Sequence, residues 1–391
     1  MPYDQAPVPH GPGENDGPRV GAPPDRLGFL DGLRGWASLM VVLSHLWGQF
    51  ARHVSSIYDA VPLRLVSNGH VAVLIFFVLS GVALSLRFVR QPRPVALLGL
   101  VVARYVRLVV PIFATTLIVY LLLTLQIAGS PEAAQLAHSE IFLGPRHDIA
   151  TSFGDVAAFS FFEVLFRYDP HTTFNWSLWT MPIEFFGSLL VYAMLFAFSR
   201  VPRLQRPHRI VLAGVLSLAL LALSKPLAAC FSLGYVVAEL IFSPAAKSAW
   251  IRWASGIVLA AATALILLNR ELDDLRGAVL ALGIVMVVVF WPVGRRLFSN
   301  PLSHWLGLIS FPLYLIHVPV IGCASLLFLS LVRAGLGLEA ATHVTMVAAL
   351  AGCLFAAWLL LPMERCSIRW SRRVDLTRVS AVSAAAETTA R

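Results

Sequence analysis

Ten stretches of this sequence are apolar over lengths that match a lipid bilayer, and they constrain everything else about the chain. A hydrocarbon core about 30 Å thick takes roughly 20 residues of helix to cross. The stretches lie near 31–50, 66–88, 106–127, 176–198, 209–224, 226–243, 251–269, 276–293, 304–331 and 340–362, the fifth, sixth and eighth being the shortest. Of the 391 residues, 58% are hydrophobic and 13% charged, about half the charged share of an ordinary soluble domain. A soluble globule of this length cannot bury that much apolar surface, so a lipid-facing exterior is required and a cytosolic enzyme is excluded. The polar fraction is equally too small for a disordered chain. The expected fold is an all-α integral membrane protein, a bundle of about ten transmembrane helices.

The net charge of +9 is better explained by topology than by a nucleic-acid partner, because the basic residues fall between the apolar runs. With ten spans and the N-terminus inside, 22 of the 30 basic residues lie on the cytoplasmic side. The positive-inside rule then places both termini in the cytoplasm and the protein in the plasma (inner) membrane as a multi-pass chain. Residues 1–26, rich in proline and glycine and without the apolar core of a signal peptide, read as a disordered cytoplasmic tail. Residues 27–367 form the membrane domain, and 368–391 a second cytoplasmic tail, mostly disordered. Cys230, Cys323, Cys353 and Cys366 form no CxxC pair and read as small buried hydrophobes, with neither a disulfide framework nor a metal site.

Ionisable residues inside spanning helices are costly and mark function by default. The first span carries Asp31, Arg34 and His45. Arg34 and His45 are eleven residues apart, almost three full turns, so they share a face with a separation of roughly 16 Å along the axis. Asp31 lies within pairing reach of Arg34. The span after Asn175 carries Glu184, roughly 12 Å below the outer surface by helix rise. A carboxylate and an imidazole at matched depth make a base with its orienting partner; an acceptor-binding role or an ion pair with an arginine are the other readings of Glu184. Arg104 and Arg107 open the third span, three residues apart on one face, where two guanidiniums can grip one anion or simply fix topology. Ser80 and Gly81 suit a close helix contact. Tyr314 and His317 share a face of the ninth span, and Glu239 is a further acid in the sixth. His70 and His53 fall near the outer surface, and Arg87, Arg90 and Arg93 extend the inner basic loop. Phe153–Phe166, apolar around Glu163, fits an interfacial or re-entrant helix.

In this order these pieces resemble the acyltransferase family 3 membrane proteins, which O-acylate sugars and other hydroxyl acceptors. Asp31-Gly32-Leu33-Arg34-Gly35 followed by His45 is similar to the family's opening signature. Phe76 to Gly81 reads Phe-Phe-Val-Leu-Ser-Gly. Arg104, Arg107 and Pro111 match Arg-x-x-Arg with its following proline. Trp176 to Glu184 matches the Trp-Ser-Leu element, and Ser310 to Pro319 the Leu-Tyr-Leu-x-His-x-Pro element. The sequence departs from the pattern at Leu74, where Asp is common, and at Glu364-Arg365-Cys366, where Glu-x-Pro is common. The resemblance implies a cytoplasmic acyl-CoA donor, acetyl-CoA as the commonest, and a carbohydrate or glycosylated small molecule such as a macrolide as acceptor. It implies no metal. His45 would be general base or acyl-accepting residue, with Glu184 and Arg34 beside it. Arg104, Arg107 and Arg34 would hold the donor's phosphates, and Asp31, Ser80, Tyr314 and His317 would be structural or acceptor-side. A transporter or channel for a small anionic or acylated solute is the alternative that ten spans with buried charge leave open.

Overall fold

The computed structural model describes residues 27–51, 54, 67–91, 95–127, 129–139, 143, 152–201, 203–269 and 273–374. The expected tail over 1–26, His53, Arg93 and the residues after Val374 lie outside them. Every regular element among the described residues is helical. In chain order these are α1 (Gly28–Leu43), extended by a π-helical segment Ser44–Ala51; α2 (Gly69–Arg90); α3 (Leu97–Thr124); α4 (Pro131–Ala137); and α5 (Phe153–Ala158), which a π turn carries on to Phe166. A 3₁₀ turn, Trp176–Trp179, leads into α6 (Thr180–Ser199). Then follow α7 (Arg206–Ala222), α8 (Pro226–Ile241), α9 (Ala249–Asn269), α10 (Asp274–Phe290), α11 (Pro292–Leu297), α12 (Pro301–Arg333), α13 (Leu338–Leu359) and α14 (Leu361–Val374).

Each of the ten apolar stretches is thus helical. Among the described residues, five helices are long and apolar enough to cross a membrane: α2, α3, the Trp176–Ser199 unit, α12 and α13. Leu218 on α7, Ile257 on α9 and Val347 on α13 point outward, as side chains facing lipid do. Trp250 and Trp253 at the start of α9, Trp305 at the start of α12, Trp358 at the end of α13 and Trp179 before α6 are exposed near helix ends, where membrane–water interfaces favour tryptophan. The Phe153–Phe166 segment is helical, with Phe153, Phe161, Phe162 and Phe166 exposed.

Backbone approach at glycines fixes the centre. In α1 a Cβ on Gly32 would come 2.1 Å from the Phe298 carbonyl oxygen, and one on Gly35 would come 2.4 Å from the Gly307 amide nitrogen. A Cβ on Gly307 would meet the Asp31 carbonyl oxygen at 2.6 Å. Helices that lack a hydrophobic driving force between them associate through such small-residue contacts. Trp36 Nε1 donates to Ser303 Oγ at 2.9 Å and Ser38 Oγ to the Ser310 carbonyl at 2.9 Å, so α1 is bolted to α12 along its length. The Asp-Gly-Leu-Arg-Gly run is therefore a docking surface as well as a carrier of charge. Gly81 of α2 makes the equivalent contact with α8, where its Cβ would lie 2.2 Å from the Phe231 carbonyl oxygen.

Of the segment read as the second tail, residues 368–374 belong to α14, and Leu361, Glu364, Arg365, Ile368 and Arg372 form a stripe at helical spacing that lines an internal cavity. Glu239 is fully buried and belongs to a closed structural network. Arg206 and Arg209 reach it at 3.1 and 2.6 Å, and the Tyr235 hydroxyl donates to it. It joins α7 to α8 and is not part of that cavity's wall. His70 pairs with Asp274 at 3.1 Å.

Replacing Gly35 by alanine should force α1 away from α12 and cost about 1–3 kcal/mol by overpacking. Gly214→Ala on α7, where nothing lies within 4 Å of the added carbon, is the control. Thermal unfolding in detergent should show a lower Tm for the first variant only; equal midpoints would remove the glycine contact as the fastener.

Candidate active site

Between α1, α2, α3, α6, α12 and α14 lies a cavity of about 740 Å³. Its wide end is charged. Asp31 and Arg34 stand there 3.5 Å apart on α1, with His304 of α12 and with Arg365 and Arg372 of α14. Arg104 and Arg107 of α3 line it further in, with Glu184 and Ser80 opposite. Beyond them the lining becomes Phe76, Met181, Thr180 and Tyr314.

The arginines do not converge on one empty anion site. Arg104 donates to Glu184, whose same oxygen accepts from the Ser80 hydroxyl at 2.6 Å. Arg107 donates to Glu364 at 2.6 Å and lies over the Phe311 ring, 5.2 Å from its centroid. Glu184 is thus held by arginine and serine, and the structure does not bring it to His45. Of the expected Ser80–Gly81 contact, Gly81 makes the packing and Ser80 turns to the carboxylate.

His45 meets another imidazole. It sits on the π-helical segment after α1, a local widening often found at functional sites. Its ring stacks on His317 of α12, with centroids 5.1 Å apart and planes 16° from parallel. His317 is fully buried, and its Nδ1 lies 2.7 Å from the Tyr314 carbonyl oxygen. A carbonyl only accepts, so Nδ1 carries the proton and Nε2 keeps its lone pair. That Nε2 is buried without a hydrogen-bond partner. Tyr314 joins this pair to the cavity: it lines the inner end, and its ring centroid is 5.9 Å from that of His317. Its hydroxyl donates to the Ser177 carbonyl at 2.8 Å and lies 2.8 Å from Thr180 Oγ1. His45 itself is not among the residues that line the cavity; His317, on which it stacks, is the ring that meets Tyr314.

Two prolines explain how these pieces are held. Proline has no N–H, so the carbonyl four residues earlier loses its helical donor. Pro111 frees the Arg107 carbonyl, and Ser367 Oγ of α14 donates to it at 2.9 Å. Pro319 frees the Leu315 carbonyl, and Asn175 Nδ2 donates to it at 2.6 Å. Asn175 Oδ1 in turn accepts from the Ser177 amide and hydroxyl at 3.0 and 2.8 Å, shaping the 3₁₀ turn that starts α6. Asn175, Thr180, Glu364 and Ser367 are the site residues that the sequence reading missed. The prolines were the signal for two of them.

A family model described as an acyltransferase domain matches residues 27–361. The chain is also similar to the O-acetyltransferase PaAT-1 of Phomopsis amygdali, with 25% identity over 359 residues covering 75% of this chain and 72% of that protein. No solved structure matches it.

Ser367→Ala removes the donor to the Arg107 carbonyl and should cost about 1 kcal/mol. In a Pro111→Ala background the helix regains its own N–H donor, so the loss should shrink. A double-mutant cycle by thermal unfolding measures the coupling; strictly additive losses would deny the link.

Proposed function

Because the chain belongs to the acyltransferase domain family, we propose that it moves an acyl group, acetyl first, from acyl-coenzyme A to a hydroxyl of a carbohydrate or glycosylated small molecule. It is an acyltransferase of groups other than aminoacyl groups, built from apolar membrane helices. The O-acetyltransferase activity named for the fungal relative favours acetyl and an oxygen acceptor. In the same reading the chain crosses the plasma membrane ten times, with both termini in the cytoplasm. The helices found at all ten apolar stretches and the excess of basic residues on one side support that topology.

One observation carries the mechanism: the cavity wall includes a charged group of residues and Tyr314, and the Tyr314 ring meets His317, on which His45 stacks. The mouth lies at the end of the bundle that the positive-inside count assigns to the cytoplasm, where coenzyme A is available. The excess positive charge of the wall draws the anionic donor in, and Arg104 and Arg107, each held by a carboxylate, line its path. The pantetheine arm follows the narrowing cavity past Phe311, and the thioester comes to rest against Phe76 and Tyr314. His45 takes the proton of the acceptor hydroxyl. The hydroxyl oxygen attacks the thioester carbonyl, the carbon–sulfur bond breaks, and the coenzyme A thiolate leaves and takes up the proton.

His317 is a positioning residue in this scheme. Its Nδ1–H is committed to a backbone carbonyl, so its ring plane is fixed and so is the ring stacked on it. Arg104 and Ser80 hold Glu184 as a fixed anion in the wall, oriented toward the acceptor or the departing thiol.

His45→Ala should abolish acyl transfer, by at least about a hundredfold as expected for loss of a general base, while membrane insertion and Tm stay near wild type. The measurement is product formation from acetyl-CoA by the purified protein. Normal product from that variant would sink the assignment of His45.

A further inference from the structure

The charges of the cavity wall do not cancel. It carries the five arginines Arg34, Arg104, Arg107, Arg365 and Arg372 against the three carboxylates Asp31, Glu184 and Glu364. The carboxylates are assigned: Asp31 to Arg34, Glu184 to Arg104 and Glu364 to Arg107. Two positive charges remain, and both belong to α14. Among the described residues neither Arg365 nor Arg372 has a carboxylate or hydrogen-bond partner, and both side chains are exposed at the mouth.

Their placement is set by the helix. Residues seven apart lie two turns apart on one face, about 10 Å along the axis. Glu364 and Ser367 fasten that face to Arg107 and to the Arg107 carbonyl, so the two arginines are held over the opening. Exposed Arg369 flanks the same face, one turn from each of them, and the other side of α14 carries Arg373 and half-exposed Trp370. An amphipathic helix of that kind lies in the membrane interface, and here it also closes one wall of the cavity.

We propose that Arg365 and Arg372, with Arg34 beside them, form the anion subsite that takes the diphosphate of the nucleotide end of the donor. The Arg-x-x-Arg pair is left to shape the inner wall. This rests on the coenzyme A reading of the cavity and says which residues make it selective for a nucleotide-bearing thioester. Guanidinium groups suit it because their fixed forks match phosphate oxygens two at a time. A lipid headgroup offers similar phosphate chemistry at the same surface, so the test must separate the two sources.

The test is equilibrium binding of coenzyme A to the full chain in phosphatidylcholine nanodiscs, comparing wild type with Arg365→Gln/Arg372→Gln and Arg365→Lys/Arg372→Lys. The glutamine variant should raise Kd at least tenfold and lose most of the wild-type salt dependence, and the lysine variant should recover much of the affinity. Arg372→Gln alone, near the end of the helix, carries the test if the double variant does not fold. Equal Kd in wild type and glutamine variants overturns the subsite while leaving the donor reading intact. Wild type that fails to bind coenzyme A overturns the donor reading and the subsite with it. Unchanged coenzyme A affinity together with lost binding to phosphatidylglycerol vesicles would assign the arginines to lipid headgroups and overturn the proposal.

Discussion

A carbonyl that loses its helical donor inside a membrane finds no water to replace it, so another part of the chain has to supply the hydrogen. The site depends on that constraint twice. Pro111 leaves the Arg107 carbonyl open at the wide end of the cavity, and Ser367 fills it, which seats α14. Pro319 leaves the Leu315 carbonyl open beside the histidines, and Asn175 fills it, which seats the turn before α6. Removing either donor leaves a buried carbonyl unsatisfied, a cost larger than one ordinary contact. The elements around the cavity are therefore located by backbone chemistry, and their functional side chains follow.

Close glycine packing does the complementary work. Gly32, Gly35 and Gly307 let α1 lie directly on α12, and the two imidazoles come face to face only because those helices approach so closely. Gly81 does the same between α2 and α8, leaving Ser80 free to hold Glu184. The result is a graded passage. It is charged and open where α14 ends, neutralised by ion pairs at Arg104 and Arg107, and aromatic at Phe76 and Tyr314. A donor with an anionic head and an apolar tail fits that gradient in one orientation.

The helices were legible in the sequence because lipid imposes length and hydropathy directly, and each apolar run became a helix near its expected limits. Asp31 and Arg34 were legible as a pair because they sit on one helix at a fixed spacing, and they do pair. Contacts between helices were not. Depth along two spans suggested His45 with Glu184, yet rotation about each helix axis decides which side chains meet. That rotation is set by Gly35 against Gly307 and by Asn175 against Leu315, contacts whose partners lie far away in the chain. Glu364 stood out in the sequence only for the Cys366 that follows it where a proline is common, and it proved to be the partner of Arg107. The wall made by Leu361, Glu364, Arg365, Ile368 and Arg372 was not legible, because it depends on α14 folding back against α3.

The central claim is that the donor lies along this cavity with its acyl group at Tyr314 and within reach of His45. A cryo-EM structure of the protein with a non-transferable thioether analogue of acetyl-CoA tests it most directly. The account predicts the diphosphate at the mouth beside α14, the pantetheine between α3 and α12, and the acyl end against Phe76 and Tyr314. An analogue bound outside this cavity, or one whose acyl end points away from the histidine pair, would contradict it.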